Sequence, residues 1–381
     1  MTKIQFLHNT AMWYRIPFFK KLSVMYDIQF IFTDLQVSRD VYGVEISNNI
    51  GGFEGINYQV HRKSFAGISF GALNNLLKND CDIIVESLES IQALISFLTA
   101  KLRKKPIVFW SEEWDWGRKE SFNTKIKLFC EKIIVSHSDA LIVPGMRHKN
   151  YFISLGANSD DIFIVPNVSN ISVKNSDHEN KDKIIEESDI KNKKVILYVG
   201  RLVKRKGVDY LIRAFAKLRE EKEDIVLIII GRGECKKELE TLSKNLKVDE
   251  DVYFMGYVDD ELLPAYYLLC NICVVPSITC GIGDPWVFIV NEAMYFGKPI
   301  IATDAVGAAF DMVKNGKNGF IVREKDVDAL YSSMKSIFLD DKEETKMGLE
   351  SRRIIEEKYR YENMVEGFKE AIECTLKKSR S

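Results

Sequence analysis

The stretch KVILYVGRLVKRKGVDYLIRAF, residues 194–215, opens with a β-branched apolar run that stops at Gly200, crosses a short cationic turn, and enters a segment of helical spacing near Gly207 or Val208. A nearly continuous apolar strand belongs to a sheet covered on both faces, and a strand feeding a helix is the repeating unit of parallel α/β architecture. The same pattern recurs outward in both directions. Strands are expected at 225–231, 252–257, 272–277, 299–303 and 319–322 on one side, and at 4–7, 28–33, 82–87, 106–110, 140–145 and 162–167 on the other, each followed by a longer segment.

At 381 residues the chain exceeds the size, about 250–300 residues, at which one hydrophobic core stops growing. Two domains are therefore expected. The polar, charged segment 167–194 separates the two strand series and reads as a linker plus the entry to a second α/β unit. Domains at 1–170 and 171–358 follow, as two Rossmann-like doubly wound units. Ligands of such sheets sit outside the carboxyl ends of the strands, so the cleft between the halves is the expected site.

Composition narrows the function. Lys and Arg number 54 against 55 Asp and Glu, and this near-neutral balance lacks the basic excess of a nucleic-acid binder. Seven scattered cysteines fit a reducing compartment better than a disulfide framework. The opening MTKIQFLHNT lacks the parts of a secretory signal, and no apolar run is long enough to span a bilayer. A cytoplasmic protein is expected.

Three constellations in the second half carry chemistry. After Gly200, Arg201 and Lys206 lie in a turn beside a helix N-terminus, where charge and backbone N–H groups can converge on a diphosphate; a solvated basic loop explains the same letters equally well. In LIIIGRGECKKELETL (227–242) a strand runs into Gly231-Arg232-Gly233 and a helix, but a lone GxG lacks the full dinucleotide fingerprint. In GDPWVFIVNEAM (283–294), Asp284 and Glu292 bracket an apolar run. A helix starting near Val287 or Phe288 would aim its N-terminal amides at the same cleft, and ionised carboxylates accept from vicinal hydroxyls, so one acid could hold a ribose and the other a sugar. Taken singly, Asp284 reads as an N-cap with Pro285 at the first helical position, and Glu292 as a surface acid.

Together these pieces resemble the carboxyl-terminal half of a GT-B-fold glycosyltransferase of family 4. The chain gives GRLVKRKG, then DPWVFIVNE running into EAMYFGKPIIATDAVGAAFDMVKNGKNGFIV, in the order and spacing of the family's turn, E-x7-E motif and glycine-rich tail. The likeness spans 195–322 and is looser in the first half, where Gly51-Gly52 does not sit at a recognisable phosphate loop. The closing segment 359–378 is similar to the final helix that in this fold crosses back to the first domain. The resemblance implies transfer of a sugar, with retention and without a metal or other cofactor, from a UDP- or GDP-linked donor to a glycan or lipid-linked acceptor in surface polysaccharide or glycoconjugate assembly. Arg201 and Lys206 would neutralise the departing diphosphate, Glu292 would bind ribose, and Asp284 would hold the sugar. Gly200, Gly283 and the amides of Phe288 and Ile289 would line the phosphates, and the base would lie by Gly231, Arg232, Tyr257 and Val258. Two residues depart from the pattern: Asp284 stands where Glu is usual, and Val287 where Gly is common.

In the first half, FWSEEWDWGRK (109–119) follows a strand and mixes carboxylates with Trp110, Trp114 and Trp116. Such a mixture suits sugar recognition, although tryptophans also pack cores. Glu112, Glu113, Trp114 and His8 are therefore candidate acceptor residues, with either Glu as a base for the acceptor hydroxyl. No His has metal-like partners, and Cys270-Asn-Ile-Cys273 reads as core thiols rather than a metal or redox pair. Basic clusters at 18–22 and 101–106 would suit peripheral contact with the inner face of the cytoplasmic membrane. Two other functions fit the same letters: a GT-B nucleotide-sugar epimerase, and a non-catalytic nucleotide-sugar or glycan-binding subunit.

Overall fold

Every apolar run named above forms a parallel strand. The structure, a computed structural model, describes residues 1–9, 13–33, 53–61, 68–88, 91–115, 122–188 and 190–380. These divide into two compact units, one built from residues 1–115, 119–170 and 360–381, the other on 171–359.

In the first unit the order is β1 (Lys3–His8), α1 (Ile16–Met25), β2 (Asp27–Phe32), β3 (Tyr58–Val60), α2 (Phe70–Lys78), β4 (Ile83–Ser87), α3 (Ile91–Leu102), β5 (Ile107–Trp110), α4 (Phe122–His137), β6 (Ala140–Val143), α5 (Met146–Ser154) and β7 (Ile162–Ile164). The sheet runs β3-β2-β1-β4-β5-β6-β7, with β1 hydrogen-bonded to both β2 and β4, which makes β1 its switch point. Because side chains alternate along a strand, the sheet has two apolar faces. Leu7, Ile84, Phe109 and Leu141 pack with Leu76, Phe97, Ile134 and Phe152 from α2–α5 on one face. Phe6, Val85 and Val108 face α1 on the other.

The second unit comprises α6 (Asn175–Glu187), β8 (Lys194–Val199), α7 (Val208–Glu221), β9 (Ile225–Ile230), α8 (Lys236–Asn245), β10 (Val252–Gly256), α9 (Leu263–Leu269), β11 (Ile272–Val275), α10 (Phe288–Tyr295), β12 (Ile300–Thr303), α11 (Gly307–Met312), β13 (Gly319–Val322), α12 (Val327–Phe338) and α13 (Asp341–Lys358). Its sheet runs β10-β9-β8-β11-β12-β13, so the chain reverses between β8 and β11. In a doubly wound sheet the crevice beyond those two carboxyl ends is where ligands bind. A last helix, α14 (Tyr361–Arg380), packs in the first unit against α1 and β5–β7.

Three details differ from the reading of the sequence. The segment 167–194 is more than a linker, since it contains α6, whose start is fixed by Asp177 accepting the Lys174 N–H at 2.6 Å and which packs on α9. Its polar composition hid the helix, because only the half-buried Ile184 joins the core. The short β3 carries too few residues to show a period. Segment 359–378 divides at Tyr359, which caps α13 before α14 begins. Gly51-Gly52 lies outside the described residues.

Helix α14 is integral to the first unit. Phe368 is fully buried, its ring 5.9 Å from that of Phe6 and 5.7 Å, edge-on, from that of Phe18. Replacing Phe368 by Ala is expected to lower stability by about 3–5 kcal/mol in denaturant unfolding, and by Leu by much less. A loss under about 1 kcal/mol for Phe368→Ala would show that the helix is not part of that core.

Candidate functional site

The site in the second unit is assembled by backbone contacts among the loops that follow β8, β9 and β11. Gly231, at φ 143°, sits so close to the preceding loop that a Cβ there would lie 1.8 Å from the Gly200 carbonyl oxygen. Only glycine fits, and the two turns are laced further by Leu202 N–H to Arg232 O at 2.8 Å and Cys235 N–H to Leu202 O at 2.9 Å. On the other side, Lys204–Lys206 form a tight 3-10 turn ending at Gly207, which is left-handed at φ 61° and would set a Cβ 2.1 Å from the Pro276 carbonyl oxygen. Ile278 N–H donates to Arg205 O at 2.8 Å, joining this turn to the loop after β11.

That loop delivers Asp284. Its backbone bridges to the segment after β12, with N–H to Ala305 O at 2.9 Å and C=O to Gly307 N–H at 2.8 Å. Its carboxylate is buried and accepts from three side chains: Lys206 Nζ at 2.5 Å, Arg205 Nη1 at 2.7 Å and Ser277 Oγ at 2.7 Å. Arg205 Nη1 also reaches the Gly283 carbonyl at 2.9 Å. Burial alone would raise the Asp284 carboxyl, but Lys206 and Arg205 outweigh it and hold the group below the ordinary carboxylate range. Burial also draws the Lys206 ammonium downward, against the pull of Asp284.

The expected role of Asp284 as a sugar holder is therefore not what its contacts describe. Its carboxylate anchors the cations, and it is not an N-cap either, since α10 begins at Phe288 with Val287 as N-cap. Val287 turns its side chain into the core, so its branch does not crowd the helix start. One carboxylate against Arg205 and Lys206 leaves a net positive charge, and Arg201, exposed and outside any ion pair among the described residues, adds to it. Excess positive charge beside the N-terminus of α10, which has no side-chain cap and includes Ile289, is a setting for an anion.

Glu292 lies half-buried in the middle of α10 and accepts from Tyr267 Oη at 2.6 Å. Arg232 stacks its guanidinium 5.2 Å from the ring centre of the exposed Tyr257, and the half-buried Val258 packs against the core of the second unit. Of the residues expected to form a donor site, Gly200 meets Gly231, Lys206 pairs with Asp284, and Gly283 accepts from Arg205, while Arg201 and Arg232 lie in the laced turns and Arg232 contacts Tyr257. Arg205, Ser277 and Tyr267 were not anticipated. Arg205 had a signal in its place inside the KRK turn, whereas Ser277 and Tyr267 had none.

In the first unit, buried Arg15 organises the carboxyl end of the sheet. It contacts His8 Nε2, donates to Glu112 Oε1 at 2.7 Å, and lies 5.1 Å from the ring centre of Trp110. Asn167 Nδ2 also reaches Glu112 Oε1, at 2.8 Å. His8 and Glu112 are thus brought together by an arginine that the sequence did not single out. Glu113 pairs with Lys127 at 2.8 Å, so each proposed base has a cationic partner. Trp114 is a correction: it is 1% exposed, stacked on His148 at 5.9 Å with Arg147 at 3.9 Å from its ring, and offers no face to a sugar. His148 is pushed down to about 3 by burial and then by Arg147, and stays neutral. Trp110 is buried too, and Trp116 lies outside the described residues. Cys270 and Cys273 are buried thiols that burial pushes upward, Cys270 to about 11.

The two doubly wound units share their fold with solved structures. Over 98% of its length the chain superposes on 100% of HepE from Anabaena, a structure in complex with UDP, with a TM-score of 0.77 at 16% identity. That is the GT-B fold. The sequence model described as Glycosyl transferases group 1 matches residues 180–354, within the second unit. The glycosyltransferase MJ1069 of Methanocaldococcus jannaschii, itself described as uncharacterized, is 28% identical over 308 residues, covering 78% of this chain and 76% of its own. The GDP-mannose-dependent alpha-(1-6)-phosphatidylinositol monomannoside mannosyltransferase of Mycolicibacterium smegmatis is 33% identical over 161 residues, covering 42% of each chain.

Asp284 gives the site a measurable signature. Because its folded carboxyl titrates below the unfolded value near 3.9, the stability it contributes is full above about pH 4 and is lost as pH falls further. Asp284→Asn is expected to cost about 3–5 kcal/mol at pH 7, by leaving buried cations without their counter-charge, and the deficit should narrow in acid. A variant as stable as the parent at pH 7 in denaturant titrations would contradict this account.

Proposed function

We propose that this glycosyltransferase moves a sugar with retention of anomeric configuration from a UDP- or GDP-linked donor to a glycan or lipid-linked acceptor in the assembly of surface polysaccharide or glycoconjugate. The observation that carries the reading is the cationic cluster of Arg201, Arg205 and Lys206 beside the start of α10, with Glu292 on the same helix. Breaking the sugar–phosphate bond develops negative charge on the leaving diphosphate. Lys206 and Arg201, held in place before substrate arrives, stabilise that charge without reorganising in the transition state. Gly200, Gly283 and the amides of Phe288 and Ile289 line the phosphates, Glu292 accepts from ribose hydroxyls, and Arg232, Tyr257 and Val258 border the base. The acceptor attacks from the face the leaving group departs, so no protein nucleophile, metal or cofactor is required. His8 and Glu112, linked by Arg15, orient the acceptor. The relative from M. smegmatis, whose name specifies GDP-mannose and a phosphatidylinositol mannoside, supports a lipid-linked acceptor.

We place the protein in the cytoplasm, at the inner face of the membrane. None of the described helices is long and apolar enough to cross a bilayer. In the two basic clusters expected to touch it, Phe18, Phe19 and Leu22 are buried, Lys21 pairs with Glu362, and Lys101 and Lys105 pair with Asp139 and Asp80, while Leu102 is exposed. The outer faces of α2, α3 and α4 are better suited. They expose Phe70, Leu77, Leu98, Leu102 and Phe129 with Lys78 and Lys132, and the single acid on those helices, Glu131, is buried.

Purified protein given a panel of UDP- and GDP-sugars should slowly hydrolyse one of them and transfer its sugar with the same anomeric configuration, with EDTA having no effect. Formation of a ring isomer, or binding without turnover, would overturn the reading. Lys206→Ala and Glu292→Ala should each lower turnover by about 10²–10³-fold while the protein stays folded, and near-normal transfer by either would remove these residues from the site. Vesicles containing phosphatidylglycerol should sediment the protein, and Leu98→Glu with Leu102→Glu should abolish this. Equal sedimentation of that variant would place any membrane contact elsewhere.

A further inference from the structure

The geometry points to Tyr267 as a positioning residue that sets the carboxylate of Glu292 for the ribose of the donor, an inference that rests on the donor-site reading above. Tyr267 lies on α9, fully buried, and its Oη donates to Glu292 Oε2 at 2.6 Å. A bond this short to an ionised acceptor is of the stronger, charge-assisted kind. The ring is held independently of the hydroxyl: it stacks on Phe296 with centroids 5.5 Å apart and planes 12° from parallel. Phe296 stands one turn after Glu292, and its N–H donates to the Glu292 carbonyl at 3.2 Å. One face of α10 is therefore gripped at two heights, by the phenol at Glu292 and by the ring at Phe296. On the other side of Tyr267, its carbonyl accepts from Cys270 Sγ at 3.4 Å, which ties the residue to the end of α9.

The chemistry of the pair suits this role. Burial, and then the charge of Glu292, push the Tyr267 phenol well above its ordinary range, so at neutral pH it remains a donor. A phenol offers one proton, whereas a carboxylate has about four acceptor positions, so the bond from Tyr267 does not by itself saturate the group. What the bond removes is rotation of the Glu side chain. Fixing one side chain before the ligand arrives is worth about three- to tenfold in affinity for whatever that side chain binds. Here the gain falls on ribose hydroxyls and not on the diphosphate, which lies with Lys206 and Arg201.

The test compares UDP and GDP with their 2′-deoxy analogues by calorimetry on the full chain. The parent protein should prefer the ribonucleotide, and Glu292→Ala should lose that preference. Tyr267→Phe, which removes one oxygen and keeps the ring, should reduce the preference about three- to tenfold while leaving affinity for the 2′-deoxy nucleotide within about twofold. Phe296→Leu, which keeps the hydroxyl but loosens its ring, should shift the preference in the same direction by less. If Glu292→Ala loses the preference and folded Tyr267→Phe keeps it in full, the positioning role falls while the ribose contact stands. If Glu292→Ala keeps the preference, the ribose reading falls and this inference with it.

Discussion

The buried carboxylate of Asp284, shared by Lys206, Arg205 and Ser277, is the constraint on which the rest of the second unit's site depends. Removing two cations and an anion from water is costly, and their mutual attraction offsets that cost only when geometry is good and the remaining acceptor positions are filled. Here one oxygen takes the guanidinium and the other takes the ammonium and a hydroxyl. The result is a pair of cations fixed at the end of β8 by an acid that arrives from beyond β11, across the switch point of the sheet. Because cations outnumber the acid, the cluster remains electropositive after pairing.

Such a cluster holds its shape only if the loops around it cannot drift. The approach of Gly231 to the Gly200 carbonyl, and of Gly207 to that of Pro276, lets backbone meet backbone where any side chain would intervene. Hydrogen bonds from Leu202, Cys235 and Ile278 then close the turns onto one another. A site pre-ordered in this way spends little on rearrangement when charge develops on a leaving group, which is where electrostatic stabilisation is most effective. The arrangement in the first unit follows the same logic with one arginine: Arg15, stacked on Trp110, draws His8 and Glu112 to the carboxyl end of its sheet.

Much of this was legible in the sequence. Long apolar strands such as those at 194–199 and 225–230 are buried on both faces and so write themselves as unbroken β-branched runs. The start of α10 was readable as well, because Pro285 and the polar loop precede an EAM segment of strong helical character. What could not be read was direction. Spacing shows that Asp284 and Glu292 are eight residues apart, but not that Asp284 turns toward Arg205 and Lys206, nearly eighty residues earlier. Trp114 looked like a sugar platform because it stands among acids; it is buried because His148 and Arg147, from a distant helix, cover it. Helix α6 was hidden for the opposite reason, since a polar helix with almost no core face resembles a linker.

The proposed donor site requires that the Asp284-anchored cations receive the diphosphate of the donor. Determining the structure of the protein with UDP or GDP bound tests it most directly. The expected result places the terminal phosphate within hydrogen-bonding distance of Lys206 Nζ, with Asp284 still bound to Lys206 and Arg205 and Glu292 against the ribose. A nucleotide bound with its phosphates away from Lys206, or a complex in which Asp284 releases both cations to hold the sugar, would contradict it.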